Sequence, residues 1–166
     1  MKKKRILVSW MAALSLVAVT AQTVNVSPQP QRIVWGDKAF GQPKGVMLKG
    51  ADDADADAVA LLRSNFADSK KGVRVIIGER GDKAVKAYEN QIPNKVEGYY
   101  ISVSKKQVVI AGNDEAGTYY GVQTFLQMAS QSEVMAAEVH DWPDVLERGV
   151  VEGFYGNPWS HTDRLR

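Results

Sequence analysis

The chain has 166 residues, of which 45% are hydrophobic, a formal net charge of +2 and no cysteine. That length suits one ordinary globular domain and little more, and the apolar content excludes a disordered chain. The absent cysteine excludes a disulfide framework, a thiolate metal site, a cysteine nucleophile and the lipidated cysteine of a bacterial lipoprotein.

Lys2, Lys3, Lys4 and Arg5 make a positive start, residues 6–19 an apolar stretch, and Val19-Thr20-Ala21 a cleavage-compatible end before Gln22. Residues 1–21 therefore read as a secretory signal. The stretch is too short to span a bilayer comfortably, so no stable membrane anchor is expected. The expected location is periplasmic or secreted, in a bacterium. Without this segment, which holds four positive charges and no negative one, the net charge becomes about −2, which removes the electrostatic support for a nucleic-acid partner.

Residues 22–44 are punctuated by proline and glycine, with residues 24–26 and 32–35 as extended candidates. Residues 45–49 form a further short strand candidate. The aspartates at 52, 53, 55 and 57 invite a calcium loop, but its sixth position would be Ala58 instead of glycine and its twelfth Ser64 instead of glutamate. They read better as the acidic N-terminus of a helix whose Val59, Leu62 and Phe66 face a core. Residues 72–78 read as a strand bounded by glycines, and residues 82–90 as a short helix with Val85 and Tyr88 on one side. Residues 98–103 and 107–111 make a hairpin around Ser104-Lys105-Lys106. Asn113 is the expected cap of the next helix, with Asp114 and Glu115 in its first turn. The row from Ala116 through Tyr119, Tyr120, Val122, Phe125 and Leu126 to Ala129 is assigned to the core in preference to a ligand wall. Residues 138–140 are a last extended piece, and Asp141-Trp142-Pro143 reads as a hinge.

The fold class is α/β: a small sandwich of a sheet with about two helices, over 22–142. Residues 143–166 differ in composition and read as the start of a second unit. There Val150-Val151 runs into a loop with Gly153, Tyr155, Gly156, Pro158 and Trp159, as a buried strand does when it ends at a ligand-facing loop.

Most catalytic templates are missing from the sequence: no phosphate-binding glycine loop, no zinc-binding histidine pair and no nucleophile elbow. Neither metal nor cofactor is called for. Ser160, His161 and Asp163 are too close along the chain to align as nucleophile, base and orienter. Glu152 sits at a strand end, but glycoside hydrolysis usually needs two flanking carboxyls and only Asp163 follows. Glu152 is read as scaffold.

The stretch Arg148-Gly149-Val150-Val151-Glu152-Gly153-Phe154-Tyr155-Gly156, followed by Pro158-Trp159 and Asp163-Arg164, resembles the opening of the catalytic domain of glycoside hydrolase family 84. Those enzymes are bacterial O-GlcNAcase relatives, β-N-acetylglucosaminidases. Residues 75–82, 92–100 and 111–120 are similar to the non-catalytic N-terminal domain that these enzymes share with family 20 hexosaminidases. The resemblance implies a (β/α)8 barrel, begun here with its first strand and loop and left incomplete. It implies retaining catalysis in which the substrate's own 2-acetamido oxygen attacks the anomeric carbon, assisted by two consecutive aspartates, and an intramolecular nucleophile has a high effective concentration. That acid pair is expected downstream of Arg166, so no catalytic residue is assigned in this chain. Gly153, through its backbone carbonyl, and Tyr155, near the acetamido group, are the substrate-binding residues the resemblance carries over. The implied partner is an N-acetylglucosamine-containing glycan or glycoconjugate.

Three readings stay open. The first is an exported family 84 enzyme of which this is an N-terminal fragment, because a barrel needs about 250 residues. The others are a non-catalytic carbohydrate-binding module and a family 20 exo-β-N-acetylhexosaminidase, the last disfavoured by Glu-Gly-Phe-Tyr-Gly.

Overall fold

Strands that are apolar on both faces set the architecture. The computed structural model describes residues 26–149. In chain order these residues form β1 (Arg32–Gly41), β2 (Gly45–Lys49), α1 (Ala56–Asn65), β3 (Ala67–Asp68), β4 (Val73–Glu79), a 3-10 helix (Lys86–Gln91), β5 (Tyr99–Val103), β6 (Val108–Gly112), α2 (Glu115–Ala129) and β7 (Glu133–Asp141). The seven strands make one mixed sheet in the order β1-β7-β5-β6-β4-β2-β3. β2, β3, β4 and β6 run parallel, whereas β5 and β6, β5 and β7, and β1 and β7 are antiparallel.

The period of two sorts side chains between the faces. Val75, Ile77, Ile101, Val108 and Ile110 join Leu62 of α1 and Val122, Phe125 and Met128 of α2 in the main core. Phe66 and Phe125 link the two helices, ring centroids 6.1 Å apart. On the opposite face Ile76, Tyr100, Val109 and Ala111 pack under Val85 and Ile92. A central strand covered on both sides must be apolar throughout, which is why 75–77 and 108–111 show no alternation.

Both α-helices start where an aspartate can cap them. Asp55 caps α1, its Oδ2 accepting from Ala58 N at 2.7 Å, so the aspartate run opens a helix, as its pattern suggested. Asp114, not Asn113, caps α2: Oδ1 accepts from Gly117 N at 2.8 Å while Oδ2 accepts from Glu97 N at 2.8 Å. The charged side chain uses both oxygens at the positive end of the helix. Asn113 instead accepts from Arg80 Nε at 2.8 Å.

The expected helix over 82–90 is a 3-10 turn over Lys86–Gln91 with no side-chain cap. Asp82 is not available to cap it, because its Oδ2 accepts from Glu79 N at 2.7 Å. Pro93 then holds Ile92 extended. β1 and β7 are longer than the four- and three-residue pieces expected, because residues 32–41 and 133–141 pair with each other along their length.

α2 lies close on the sheet because its facing residues are small. A Cβ at Gly117 would come 2.2 Å from Gly98 O, and one at Gly121 would come 2.9 Å from Ile110 Cγ2. Since a backbone carbonyl cannot rotate away, Gly117→Ala is expected to destabilise the domain by about 2–3 kcal/mol in urea unfolding, the upper part of the overpacking range.

Glu79 ties β4 to α1, with its Oε1 accepting from Asp55 N at 2.9 Å. Burial pushes its carboxyl up from the ordinary 4.5, and the nearby Asp82, Glu115 and Asp55 add to that, against the lowering hydrogen bond from Asp55 N. A raised folded value means that the folded state holds the proton more tightly, so stability falls as pH rises above 4.5. Glu79→Gln keeps the amide acceptor, so it is expected to raise Tm at pH 7. Below pH 4.5 that gain disappears, which thermal melts across pH would read.

Candidate functional site

The register of β5 and β7 places Tyr99 directly opposite Asp141, so both side chains leave the same face of the sheet. The Tyr99 hydroxyl donates to Asp141 Oδ2 at 2.7 Å and lies 2.7 Å from Thr124 Oγ1 of α2. A phenol has one proton and a carboxylate only accepts, so the Thr124 hydroxyl is the donor in the second bond. Asp141 Oδ1 accepts from Gln31 N at 3.0 Å. One buried hydroxyl thereby joins the start of β5, the middle of α2, the end of β7 and, through Asp141, the residue before β1.

Burial pushes the Tyr99 phenol far up from its ordinary 10.0; the Thr124 hydrogen bond opposes this, while the bond to Asp141 and its charge add to it. The folded state therefore holds this proton, and its contribution to stability is lost as pH rises above 10.0.

Above this network lies a cavity of about 470 Å³. Its walls come from three places: residues Pro28, Gln29 and Gln31 before β1; Tyr120, Gln123, Thr124 and Gln127 on α2; and residues 142–145 with Arg148 on the segment leaving β7. Gln127 holds the first wall, accepting from Ser27 N at 2.8 Å and donating to Ser27 O at 3.0 Å. Gln31 holds the third, its Nε2 donating to Asp144 Oδ1 at 2.6 Å and to Trp142 O at 3.4 Å. Arg148 closes the far end. It donates to Val145 O at 2.7 Å and to the Glu97 carboxylate, and it sits 5.7 Å over the Tyr120 ring.

The carboxylates of this cavity each take hydrogen bonds that hold chain segments together: Asp141 from Tyr99 and Gln31, Asp144 from Gln31, Glu97 from Arg148. The arrangement suits fixing the exit of the chain better than proton transfer. Among the described residues, no group of three or more His, Cys, Asp or Glu could hold a metal ion.

The sequence-predicted binding residues Gly153 and Tyr155, together with Glu152 and His161, lie outside the described residues. His140 packs against Tyr100, ring centroids 5.0 Å apart, with Nδ1 3.0 Å from Gln91 O. One residue corrects the expected aromatic core row: Tyr120 is 40% exposed and forms a cavity wall, whereas Tyr119 is partly buried and packs against the main core. Tyr120 follows Tyr119 on the helix, so it points some 100° away from it, and the buried stripe runs instead through Gly117, Gly121, Val122 and Phe125. The cavity itself had no local signal in the sequence, since its walls come from residues about 100 positions apart.

The sequence profile described as glycosyl hydrolase family 20, domain 2, matches residues 23–142. The chain belongs to that family. A second profile, described as beta-N-acetylglucosaminidase, matches residues 148–166. Among curated relatives, a beta-hexosaminidase of Porphyromonas gingivalis is 28% identical over 133 residues, 78% of this chain and 16% of that protein. The solved structure of CpGH84B is 28% identical with a TM-score of 0.69, covering 86% of this chain and 26% of that one. CpGH84D, at 20% identity and a TM-score of 0.64, covers 82% and 26% and shares the fold. The chain thus spans about a quarter or less of the length of these relatives.

The Tyr99 network can be tested directly. Tyr99→Phe leaves Thr124 and one oxygen of Asp141 without their partner, and is expected to cost about 1–3 kcal/mol in urea unfolding at pH 7. The same variant is expected to lose less stability than the parent between neutral pH and pH above 10, because the proton linkage at this phenol is gone.

Proposed function

We propose that this chain is the N-terminal part of an exported, retaining β-N-acetylglucosaminidase of the family 84 kind, acting on terminal N-acetylglucosamine linkages of the O-GlcNAc type. In this reading residues 1–21 are the export signal and residues 22–142 the non-catalytic domain. Residues 143–166 begin the catalytic barrel. The observation that carries it is succession within one chain: a family 20 domain 2 profile over 23–142, followed at once by a beta-N-acetylglucosaminidase profile over 148–166. The likeness to CpGH84B over 86% of the chain supports the same choice.

The substrate's 2-acetamido oxygen would attack the anomeric carbon, giving an oxazoline as the leaving group takes a proton, and water would open it with retention. Gly153 would accept a sugar hydroxyl at its backbone carbonyl, and Tyr155 would shape the pocket by the acetamido group. The only adjacent aspartates in the chain are Asp52 and Asp53. They lie between β2 and α1 and do not line the cavity, so the catalytic pair is assigned to sequence beyond Arg166. The partner in this reading is an N-acetylglucosamine-containing glycan or glycoconjugate.

A second reading, a family 20 exo-β-N-acetylhexosaminidase, is favoured by the domain 2 profile and by the Porphyromonas gingivalis relative. Both readings expect the 166-residue chain alone to leave a chromogenic β-N-acetylglucosaminide intact, and robust hydrolysis by it would overturn the placement of the acids. The gene is expected to continue in frame past codon 166 to two consecutive aspartates after a strand. The extended enzyme should turn over the substrate, and a trifluoroacetamido analogue, with a poorer carbonyl nucleophile, should react far more slowly. A stop codon directly after Arg166 would sink the enzymatic reading.

A further inference from the structure

At the turn into β5, Glu97 has a φ of 59°, the sole non-glycine residue in the left-handed region among those described. A side chain is strained there, and such strain persists only where surrounding contacts enforce it. Here they do. Glu97 N donates to Asp114 Oδ2 at 2.8 Å, Gly98 N to Lys95 O at 3.0 Å, and Gly98 O accepts from Asn113 N at 2.7 Å. Every one of those bonds is made by backbone at 97–98 and would be made equally by glycine. The Glu97 side chain does something separate: it reaches Arg148, 51 residues further on.

Arg148 is held from three directions, by the Glu97 carboxylate, the Val145 carbonyl and the Tyr120 ring face. The Glu97 side chain is 21% exposed, against 41% for Glu133 and 63% for Asp68 in the ion pairs with Lys38 and Arg63, while the Arg148 side chain is 43% exposed. The opposite end of the same segment is tied by Gln31 to Trp142 O and Asp144. Residues 142–148 are therefore fastened at both ends across the cavity.

We propose that Glu97 is a positioning residue: by clasping Arg148 it fixes residues 142–148, the segment on which the beta-N-acetylglucosaminidase match begins. The clasp stands on the contacts just described; what it positions rests on the function proposed above. Without it, a smaller fraction of molecules would present that segment in the binding-competent place. The apparent substrate affinity falls in proportion to that fraction.

Two readouts separate the parts. Trypsin cleaves after Arg148 only when the guanidinium is free to enter the protease and the backbone can extend. Cleavage at Arg148 in the protein is expected to be slow, and to quicken about two- to fivefold in Glu97→Gln and in Arg148→Lys, the range an exposed ion pair supports. The control Glu133→Gln should match the parent. Glu97→Gly is the diagnostic variant: glycine relieves the left-handed strain, so Tm should rise, while cleavage at Arg148 still quickens. Parent-like cleavage in both Glu97→Gln and Glu97→Gly would overturn the clasp. In the enzyme extended through its catalytic residues, Glu97→Gln should raise KM about two- to fivefold with kcat little changed, whereas simple loss of folded protein would lower apparent kcat and leave KM alone. Quickened cleavage with an unchanged KM would overturn the positioning role. Absence of turnover in the extended parent, with Arg148 still protected, would overturn the enzymatic reading and leave the clasp standing.

Discussion

The Tyr99 hydroxyl is the contact on which the rest of this domain depends. It is buried, holds its proton, and bonds α2 through Thr124 and the last residue of β7 through Asp141. Because Asp141 also accepts from Gln31, the place where the chain enters the sheet and the place where it leaves are brought together. A buried polar network of this kind is strong when every member is satisfied and costly when one is removed. No buried side-chain nitrogen or oxygen among the described residues lacks a partner, so the network belongs to the first case.

A second constraint follows from close packing at the mouth of β5. α2 can approach the sheet only because Gly117 presents no Cβ to Gly98 O. The same corner carries the bond from Glu97 N to Asp114, the cap of α2. Helix start, strand start and left-handed turn are thus solved together. The strain at Glu97 is held in place by bonds that also serve the helix, and its carboxylate is directed toward the exit segment at little further conformational cost.

What could be read from the sequence follows the range of the forces involved. The start of α1, the hairpin of β5 and β6, and the glycine-bounded β4 rest on patterns of a few residues, and each lies where its pattern indicates. The errors occur where distant partners compete for a local group. Asn113 loses the cap of α2 to Asp114, whose charge serves Glu97 N and Gly117 N together. Residues 82–91 settle into a 3-10 turn because Asp82 is engaged by β4. Tyr120 leaves the core row because the sheet accepts only the glycine-lined stripe of α2. β1 and β7 lengthen because each is completed by a partner strand about 100 residues away, and the two-residue β3 carries no signal of its own.

The sequence by itself determined that residues 72–78, 98–103 and 107–111 are strands, that the aspartates at 52–57 open a helix, and that a stretch resembling beta-N-acetylglucosaminidases begins at Arg148. These are read from apolar β-rich runs bounded by turn residues, capping chemistry and a contiguous run of residues, all local properties of the chain. Tertiary structure decided the order of the seven strands, the pairing of Tyr99 with Asp141, the cavity between chain entry and exit, and the approach of Glu97 to Arg148. Each of those depends on strand register and helix seating between residues tens to a hundred positions apart, and such pairings are chosen by the packing of the whole sheet.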